Sequence, residues 1–290
     1  MIRAFGYITV VLLLSSCGVT TNESEISWTS EKKDEIRDFG DRLVRSFQTS
    51  NFELFDSLWD NDAFLKRVNK TSNKTISSYY MSMQPNQGRY KSTDQFPLIQ
   101  EDTASVQVVH YALNTNSAEI TLVIDYKYSM KPIKYLVEVK DGKFAITDIY
   151  NLYDDEWHAQ ELYDRFVMLS SIKRNDKILR DAEQAYKRAV DAQNIGDNQL
   201  ALEALYQIPK EFSGKGDYTL WKLELAQEID NLTWSSVIRN EYNMYQSPYT
   251  TYLHNWYNEK PLWNTIRYLE NHGLDQEHLS ILKDGEIIWY

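Results

Sequence analysis

The chain has 290 residues, a length that fits about two domains at roughly 100–200 residues per domain. Hydrophobic residues make up 42% and charged residues 25%, with only 10 Gly and 6 Pro, which excludes collagen-like and low-complexity disordered chains. The mean hydropathy of −0.55 excludes a polytopic membrane protein. One cysteine excludes a disulfide framework and a multi-thiolate metal site. The net charge of −11 repels phosphate backbones, so we predict no nucleic-acid partner.

The first residues of the chain predict a secretory leader. Arg3 supplies a short basic start, and residues 5–14 form an apolar run. That run is too short to cross a bilayer core of about 30 Å, which needs about 20 helical residues. We therefore expect residues 1–16 to be a signal peptide rather than a permanent membrane span.

The residues Leu14-Ser15-Ser16-Cys17 resemble the lipobox of bacterial lipoproteins. The resemblance implies that Cys17 becomes the first mature residue and carries acyl chains such as palmitate, so that the membrane is a partner through this lipid. Two or more acyl chains hold a bilayer stably, at about 0.8 kcal/mol per buried CH₂. Gly18 stands where Asp would favour inner-membrane retention, which implies the outer membrane, on a face that the sequence leaves open. The alternative is an ordinary signal peptide with an incidental cysteine.

Residues 17–30 are then expected to form the lipidated cysteine and a flexible polar tether. The following residues predict helices, because apolar side chains recur at helical spacing from Glu31 to Thr49 and again from Phe52 to Trp59. A third short helix is expected over Ile76 to Met83.

Period-two alternation between residues 105 and 150 predicts four consecutive strands. Asp141-Gly142 is typical of a hairpin turn between the last two strands. The alternation places Asp125 on a polar, solvated strand face. Residues 31–152 are therefore predicted to be an α+β domain in which N-terminal helices pack on an antiparallel sheet.

The segment from Phe47 to Phe55 and the last strand from Phe144 to Ile149 resemble the nuclear transport factor 2-like (cystatin-like) superfamily. This resemblance implies a curved sheet wrapped around the N-terminal helices, often with a pocket, and some relatives are isomerases or dehydratases. Alternation would place His110 beside Val106 and Val108, and Asp148 beside Phe144 and Ile146. Such a His and Asp could act as base and acid or orient a ligand, unless both make only structural hydrogen bonds. The candidate pocket residues are His110, Asp148, Tyr150 and Tyr126.

Residues 153–290 predict a helical domain that carries 14 basic and 23 acidic residues, a net charge of −9. We interpret this excess as a solubilising surface or as a site for a basic partner. The run Ala189, Gly196, Ala201 and Leu205 resembles one tetratricopeptide helical hairpin, which implies a helical-repeat-like domain. A small terminal hairpin is expected near residues 279–289.

Aromatic residues at spacings of three and four form a second candidate site. They could present a surface to a sugar or peptide, or they could pack between helices. This candidate aromatic surface consists of Tyr242, Tyr245, Tyr249, Tyr252 and Trp256.

No motif in the chain indicates catalysis. Residues 213–216 lack the spacing of a phosphate-binding loop, and His272 and His278 are six residues apart, so they do not share a helix face as metal ligands usually do. We therefore predict no metal and no cofactor. The leading hypothesis is a non-enzymatic, lipid-anchored envelope protein that binds another envelope protein or acts as a scaffold. The alternatives are a carrier or an isomerase-like enzyme for a small apolar ligand, and a glycan-binding protein.

Overall fold

The fold of this chain is α+β, with helices on both sides of one sheet. A computed structural model describes residues 26–68, 103–126, 129–152, 155–161, 163, 176–209, 217–283 and 288–289. The leader with Cys17, the predicted helix over residues 76–83 and the side chain of Tyr126 lie outside the described part. None of the helices within these ranges is both long and apolar enough to cross a membrane.

Within residues 26–68, three helices precede the sheet, and side-chain caps explain where the first two begin. Helix α1 (Ser30–Gln48) starts where Thr29 Oγ1 accepts from Lys32 N–H. Helix α2 (Phe52–Ser57) starts at Asn51, whose Oδ1 accepts from Leu54 N–H at 2.9 Å. It ends earlier than predicted, because Trp59 forms an isolated bridge with Ile146 instead of continuing the helix. Helix α3 (Asn61–Val68) follows directly.

The predicted four-stranded meander is confirmed. Strands β1 to β4 pair antiparallel in chain order, β5 pairs with the end of β4, and β6 pairs in parallel with the start of β3. Asp141 (φ 51°) and Gly142 (φ 77°) both adopt the positive φ that a tight two-residue hairpin requires. The strands are β1 (Thr103–Leu113), β2 (Ser117–Tyr126), β3 (Ser129–Lys140), β4 (Lys143–Asn151), β5 (Glu156–Trp157) and β6 (Ile288–Trp289).

One face of the sheet packs against α1–α3 and forms the first core. Alternate strand residues contribute to it, so that Ile120, Leu122 and Ile124 of β2 all have their side chains on this face. Gly40 allows α1 to approach β1 closely, since a Cβ at this position would lie 2.2 Å from Tyr111 Oη. The largest fully buried rings of the first core are Phe39, Phe47, Phe55, Phe64 and Tyr135.

From residue 176 onward, the described part of the chain holds seven further helices, and each contacts the next one along the chain. The predicted stripe of alanines on the first of these helices is buried, which allows close approach of its neighbour. Asp197 begins the second helix by accepting from Leu200 N–H at 3.0 Å. The helices are α4 (Asp176–Asn194), α5 (Asn198–Tyr206), α6 (Asp217–Ile229), α7 (Asn231–Tyr245), α8 (Pro248–Tyr257), α9 (Trp263–Asn271) and α10 (Gln276–Lys283).

The later helices cover the second face of the sheet. Val123, Met130 and Leu152 belong to the same apolar cluster as residues of α4–α10, which we call the second core. The expectation that Asp125 is solvated is therefore wrong, because its side chain is only 21% exposed and faces His278 of α10. Alternation on β2 correctly marked one apolar face, but it carries no signal for polar contacts made by a distant helix.

A buried ion pair joins α6 to α7. Lys222 Nζ donates to Glu241 Oε1 at 3.0 Å, and both side chains are 1% exposed. Thr219 Oγ1 donates to the second carboxylate oxygen at 2.7 Å, and the ammonium lies 4.9 Å from the ring centre of Tyr206. A buried pair of this kind stabilises little in total, but removal of one partner leaves an uncompensated charge. The pair therefore fixes how α6 and α7 align.

Tyr135 provides a test of the first core. Among the described residues, no hydrogen-bond partner lies within reach of its buried hydroxyl, and burial raises the pKa of this phenol. We expect Tyr135→Phe to leave the free energy of unfolding unchanged or to raise it by up to about 1 kcal/mol, because it removes a desolvated, unpaired group. Urea unfolding measures this difference.

The neighbouring variant Phe55→Ala is the control for packing, and it should lose about 3–5 kcal/mol. A loss greater than about 1 kcal/mol in Tyr135→Phe would show that the hydroxyl is hydrogen-bonded in the folded protein.

Candidate functional site

His110 lies on the opposite sheet face from the one predicted. The pairing of β1 with β2 shifts at Val109, so that Val108 pairs with Leu122 but His110 pairs with Thr121. Leu122 belongs to the first core, whereas Thr121 contacts the segment after α9. The bulge therefore breaks the alternation that placed His110 beside Val106 and Val108. His110 is exposed at this position.

Asp148 is a buried structural residue. Its Oδ1 accepts from Ile149 N–H at 2.9 Å and from Ala159 N–H at 3.1 Å, which ties β4 to the chain that follows β5. Burial raises the pKa of this carboxyl to about 6, although the two backbone donors act in the opposite direction. A second bulge separates Asp148 from Ile146, because Leu136 pairs with Asp148 while the next residue pairs with Ile146.

The structure does not bring the predicted pocket residues together. His110 on β1 and Asp148 on β4 are separated by two strands, which at about 4.8 Å per strand spacing puts them roughly 14 Å apart. The first core, which would be the interior of a cone, holds the packed rings of Phe47, Phe55 and Tyr135. Tyr150 also does not meet His110 or Asp148 in a pocket; it belongs to a polar cluster with Asp155 and His272.

The predicted aromatic surface is not one exposed face. Tyr249 and Tyr252 are 5% and 0% exposed and belong to the second core. Tyr242 stacks on His254 at 4.0 Å between ring centres, and Trp256 packs edge-on against Trp234. Tyr245 is half-buried beside Lys222. Helical spacing placed these rings toward neighbouring helices, and that packing leaves no continuous platform for a sugar.

A polar cluster lies between the second face of the sheet and the end of α9, and we call it the polar junction. Lys134 of β3 is at its centre, with its ammonium 3.0 Å from Glu119 Oε2 and 2.9 Å from His272 Nδ1. Thr121 Oγ1 donates to the backbone carbonyl of His272 at 3.0 Å. The junction consists of Glu119, Lys134, Tyr150, Asp155, Tyr268 and His272.

The contact with Lys134 fixes the protonation of His272. An ammonium can only donate, so Nδ1 accepts and the neutral ring carries its proton on Nε2, 3.8 Å from Asp155 Oδ1. Burial and the Lys134 ammonium lower the pKa of His272, against the opposing effect of Asp155 and Glu119. The imidazole is therefore held neutral at neutral pH.

Two tyrosines enclose this imidazole. Tyr150 stacks on His272 at 5.0 Å between ring centres, and Tyr268 packs at 4.6 Å. Tyr150 Oη donates to Asp155 Oδ1 at 2.5 Å, and Tyr268 Oη donates to the carbonyl of Leu152 at 3.1 Å. Burial raises the pKa of both phenols, and the Asp155 carboxylate adds to the effect. Both hydroxyls thus act as hydrogen-bond donors rather than as bases.

A second cluster, the histidine clamp, holds α10 to the same sheet face. His278 Nδ1 lies 2.7 Å from Asp275 Oδ1, and Nε2 lies 3.8 Å from Asp125 Oδ1 and 2.9 Å from the amide of Gln107. The Asp125 carboxylate, followed by that of Asp275, raises the pKa of His278 to about 9 against the effect of burial. The clamp consists of Ser105, Gln107, Asp125, Asp275 and His278.

Gly273 connects the two clusters. It has a φ of +91°, and a Cβ on it would lie 2.5 Å from the ring of His110. Only glycine can make this turn against β1, so the residue lets the chain leave α9 and enter α10 along the sheet. His272 and His278 thereby reach strands that lie more than a hundred residues earlier. The sequence offered one signal for them, since His272 directly precedes Gly273-Leu274-Asp275 and His278 follows it by three residues.

A surface groove of about 410 Å³ lies along α9. Its lining includes Trp263, Arg267 and Glu270, and Trp263 is 71% exposed. Within the described residues, no group of three or more His, Cys, Asp or Glu side chains is arranged to hold a metal ion. The ionisable groups pair with one another within the junction and within the clamp. Their role is therefore to hold α9 and α10 against the sheet.

Comparisons of the chain with protein-family models, with curated proteins and with solved structures find no match. The lipobox, the nuclear transport factor 2-like fold and the tetratricopeptide-like hairpin therefore stay predictions.

The histidine clamp predicts loss of stability toward alkaline pH. The pKa of His278 is raised from 6.5 to about 9, so its contribution is complete below pH 6.5 and is lost as the pH rises toward 9. We expect the free energy of unfolding to fall over this range by on the order of 2 kcal/mol, a fall that His278→Gln removes. Urea unfolding at constant ionic strength measures it. The control His110→Gln, at an exposed histidine, should keep the wild-type slope; an unchanged slope in His278→Gln would contradict the assignment.

The polar junction predicts loss of stability on the acid side. The pKa of His272 is lowered, so its neutral form contributes fully above pH 6.5, and this contribution is lost as the pH falls through the folded-state pKa. His272→Asn keeps an acceptor for Lys134 and cannot be protonated, so its melting temperature should fall less between pH 6.5 and 4.5. Lys134→Met removes the opposing cation and should also flatten this limb. Equal acid slopes in wild type and His272→Asn would exclude the mechanism.

Proposed function

We propose that this chain is a lipid-anchored protein of the bacterial cell envelope, held at the outer membrane through Cys17, that acts as a binding or scaffold module. The observation that carries the proposal is the sequence Leu14-Ser15-Ser16-Cys17 directly after an apolar run of ten residues. The chain has no other cysteine, so the thiol stands only where lipidation needs it. A durable anchor then comes from the acyl chains.

The packing of the body supports a role in binding rather than an internal ligand pocket. Helices α1–α3 fill one sheet face with aromatic rings, and α9 and α10 cover the other through the polar junction and the histidine clamp. Large apolar side chains instead lie exposed in the part of the chain that follows the sheet: Ile195 in the turn after α4, Leu232 on α7 and Trp263 on α9. A contiguous patch of such groups would be typical of a site that contacts another protein.

The finer fold assignment is part of this proposal. Helices that precede a four-stranded antiparallel meander support a nuclear transport factor 2-like arrangement for residues 31–152. Successive helix-to-helix contacts and the buried alanines of α4 support a tetratricopeptide-like arrangement in the second part. The carrier or isomerase alternative has less support, because His110 and Asp148 do not meet.

Lipidation is tested by metabolic labelling with an alkyne analogue of palmitate. The wild-type protein should incorporate label, and Cys17→Ser should incorporate none and migrate differently on a gel because the leader is not removed. Ser16→Ala is the matched control, since it keeps a small residue before the cysteine and should retain the label.

A wild-type protein that takes up no label, or a labelled Cys17→Ser variant, would refute the anchor. The binding role has a separate readout, which is recovery of a stable protein partner from the detergent-solubilised envelope. Recovery of no partner would count against the scaffold role while leaving the anchor intact.

A further inference from the structure

The segment before α1 is docked on one end of the sheet. Ile26 N–H donates to the carbonyl of Thr115 at 2.7 Å, and Trp28 Nε1 donates to the carbonyl of Asn114 at 2.7 Å. The indole also stacks on Phe144 of β4, with 6.0 Å between ring centres. These three contacts fix where the chain enters the folded body.

The docking site marks a defined end of the sheet, which we call the turn end. The β1–β2 turn and the β3–β4 turn lie at this end because the strands are antiparallel and adjacent. Helix α1 starts here beside Trp28 and runs to the opposite end, where Gln48 Nε2 donates to the carbonyl of Val106. Nineteen helical residues span about 28 Å, which measures the separation of the two ends.

The helices α9 and α10 contact the sheet away from the turn end. Their polar contacts reach Gln107, Asp125 and Lys134, and β6 pairs with Ser129 and Met130 at the start of β3. Asp125 lies eight positions along β2 from Ser117 beside the turn end, a distance of about 26 Å along the strand. The contacts of α10 and β6 therefore lie toward the end of the sheet opposite the docked entry segment, and the contact of His272 with Lys134 lies between the two ends.

The length of chain between the lipid site and the docking site is short. Nine residues lead from Cys17 to Ile26, and at about 3.3–3.6 Å per residue they reach at most roughly 30 Å. A lipid on Cys17 would therefore keep the turn end within this distance of the bilayer surface. The reach is similar to the length of the sheet itself.

The charge distribution favours the same orientation. Residues 31–152 carry a net charge of −1, whereas residues 153–290 carry −9. An anionic lipid surface repels the strongly acidic part and leaves the nearly neutral part free to approach.

We infer that the turn end, built from Asn114–Asn116, Asp141-Gly142 and Trp28, is the surface that faces the lipid bilayer, and that it directs the acidic helical part away from the membrane. The inference rests on the proposed lipid anchor at Cys17. The anchor and the docked entry segment together fix the orientation of the folded body relative to the bilayer. The later helices then face away from the membrane, where they can contact partners.

Fluorescence transfer from single labelled positions to lipid headgroups tests the orientation. Acylation blocks Cys17, so Thr115→Cys at the turn end and Ser280→Cys on α10 each offer one reactive thiol at an exposed small residue. The lipidated full-length proteins are reconstituted into vesicles of phosphatidylethanolamine and phosphatidylglycerol that contain acceptor-labelled headgroups. We expect transfer from position 115 to be at least twice that from position 280.

Flotation of the vesicles separates the two hypotheses. Protein that floats but shows equal transfer from both positions, or more from position 280, overturns the orientation and leaves the anchor standing. Protein that does not float overturns the proposed anchor and the orientation with it.

A second variant tests the docked segment itself. Trp28→Ala removes the indole hydrogen bond to Asn114 and the stack on Phe144, so the difference in transfer between the two positions should shrink by at least half. Circular dichroism confirms that the variant remains folded. A folded Trp28→Ala protein with the full wild-type difference would show that the docked segment does not orient the body.

Discussion

Helices of the same chain bury both faces of the β1–β4 sheet, and this double burial is the constraint on which the rest of the structure depends. The first face is apolar and packs against α1–α3 through aromatic rings. The second face is mixed, and it binds α9 and α10 through Lys134, Asp125 and their histidine partners as well as through the second core. The apolar face supplies stability, while the charged groups fix where the later helices sit.

The elements of this fold that depend on local patterns could be predicted from the sequence. Helix α1 follows from its apolar spacing, the four strands from alternation, and the β3–β4 turn from Asp141-Gly142. The alanines of α4 are buried as their spacing indicated. In each case the signal and the structure involve residues within a few positions of one another, so periodicity alone is sufficient.

The candidate site could not be predicted in the same way, because its contacts join distant parts of the chain. Lys134 and His272 are 138 residues apart, and Gln107 and His278 are 171 apart. The bulge at Val109 reversed the expected face of His110, and no residue type in that strand marks a bulge. Asp125 looked like a surface residue for a similar reason, since a polar residue on an alternating strand is ordinarily solvated.

The late position of α9, α10 and β6 has a consequence for how the protein is made. About 110 residues separate the end of β4 from the start of α9, so the four strands emerge long before the helices that cover their second face. Contacts of such large sequence separation form slowly, because a long loop must close before they can stabilise the chain. Until then Val123, Met130 and Leu152 stay uncovered, and the half-made protein presents an apolar sheet face to its surroundings. A product that ends before α9 would lack Ile266, Leu269, Leu274 and Leu279 of the second core, so it would leave part of this sheet face open to contact with other chains.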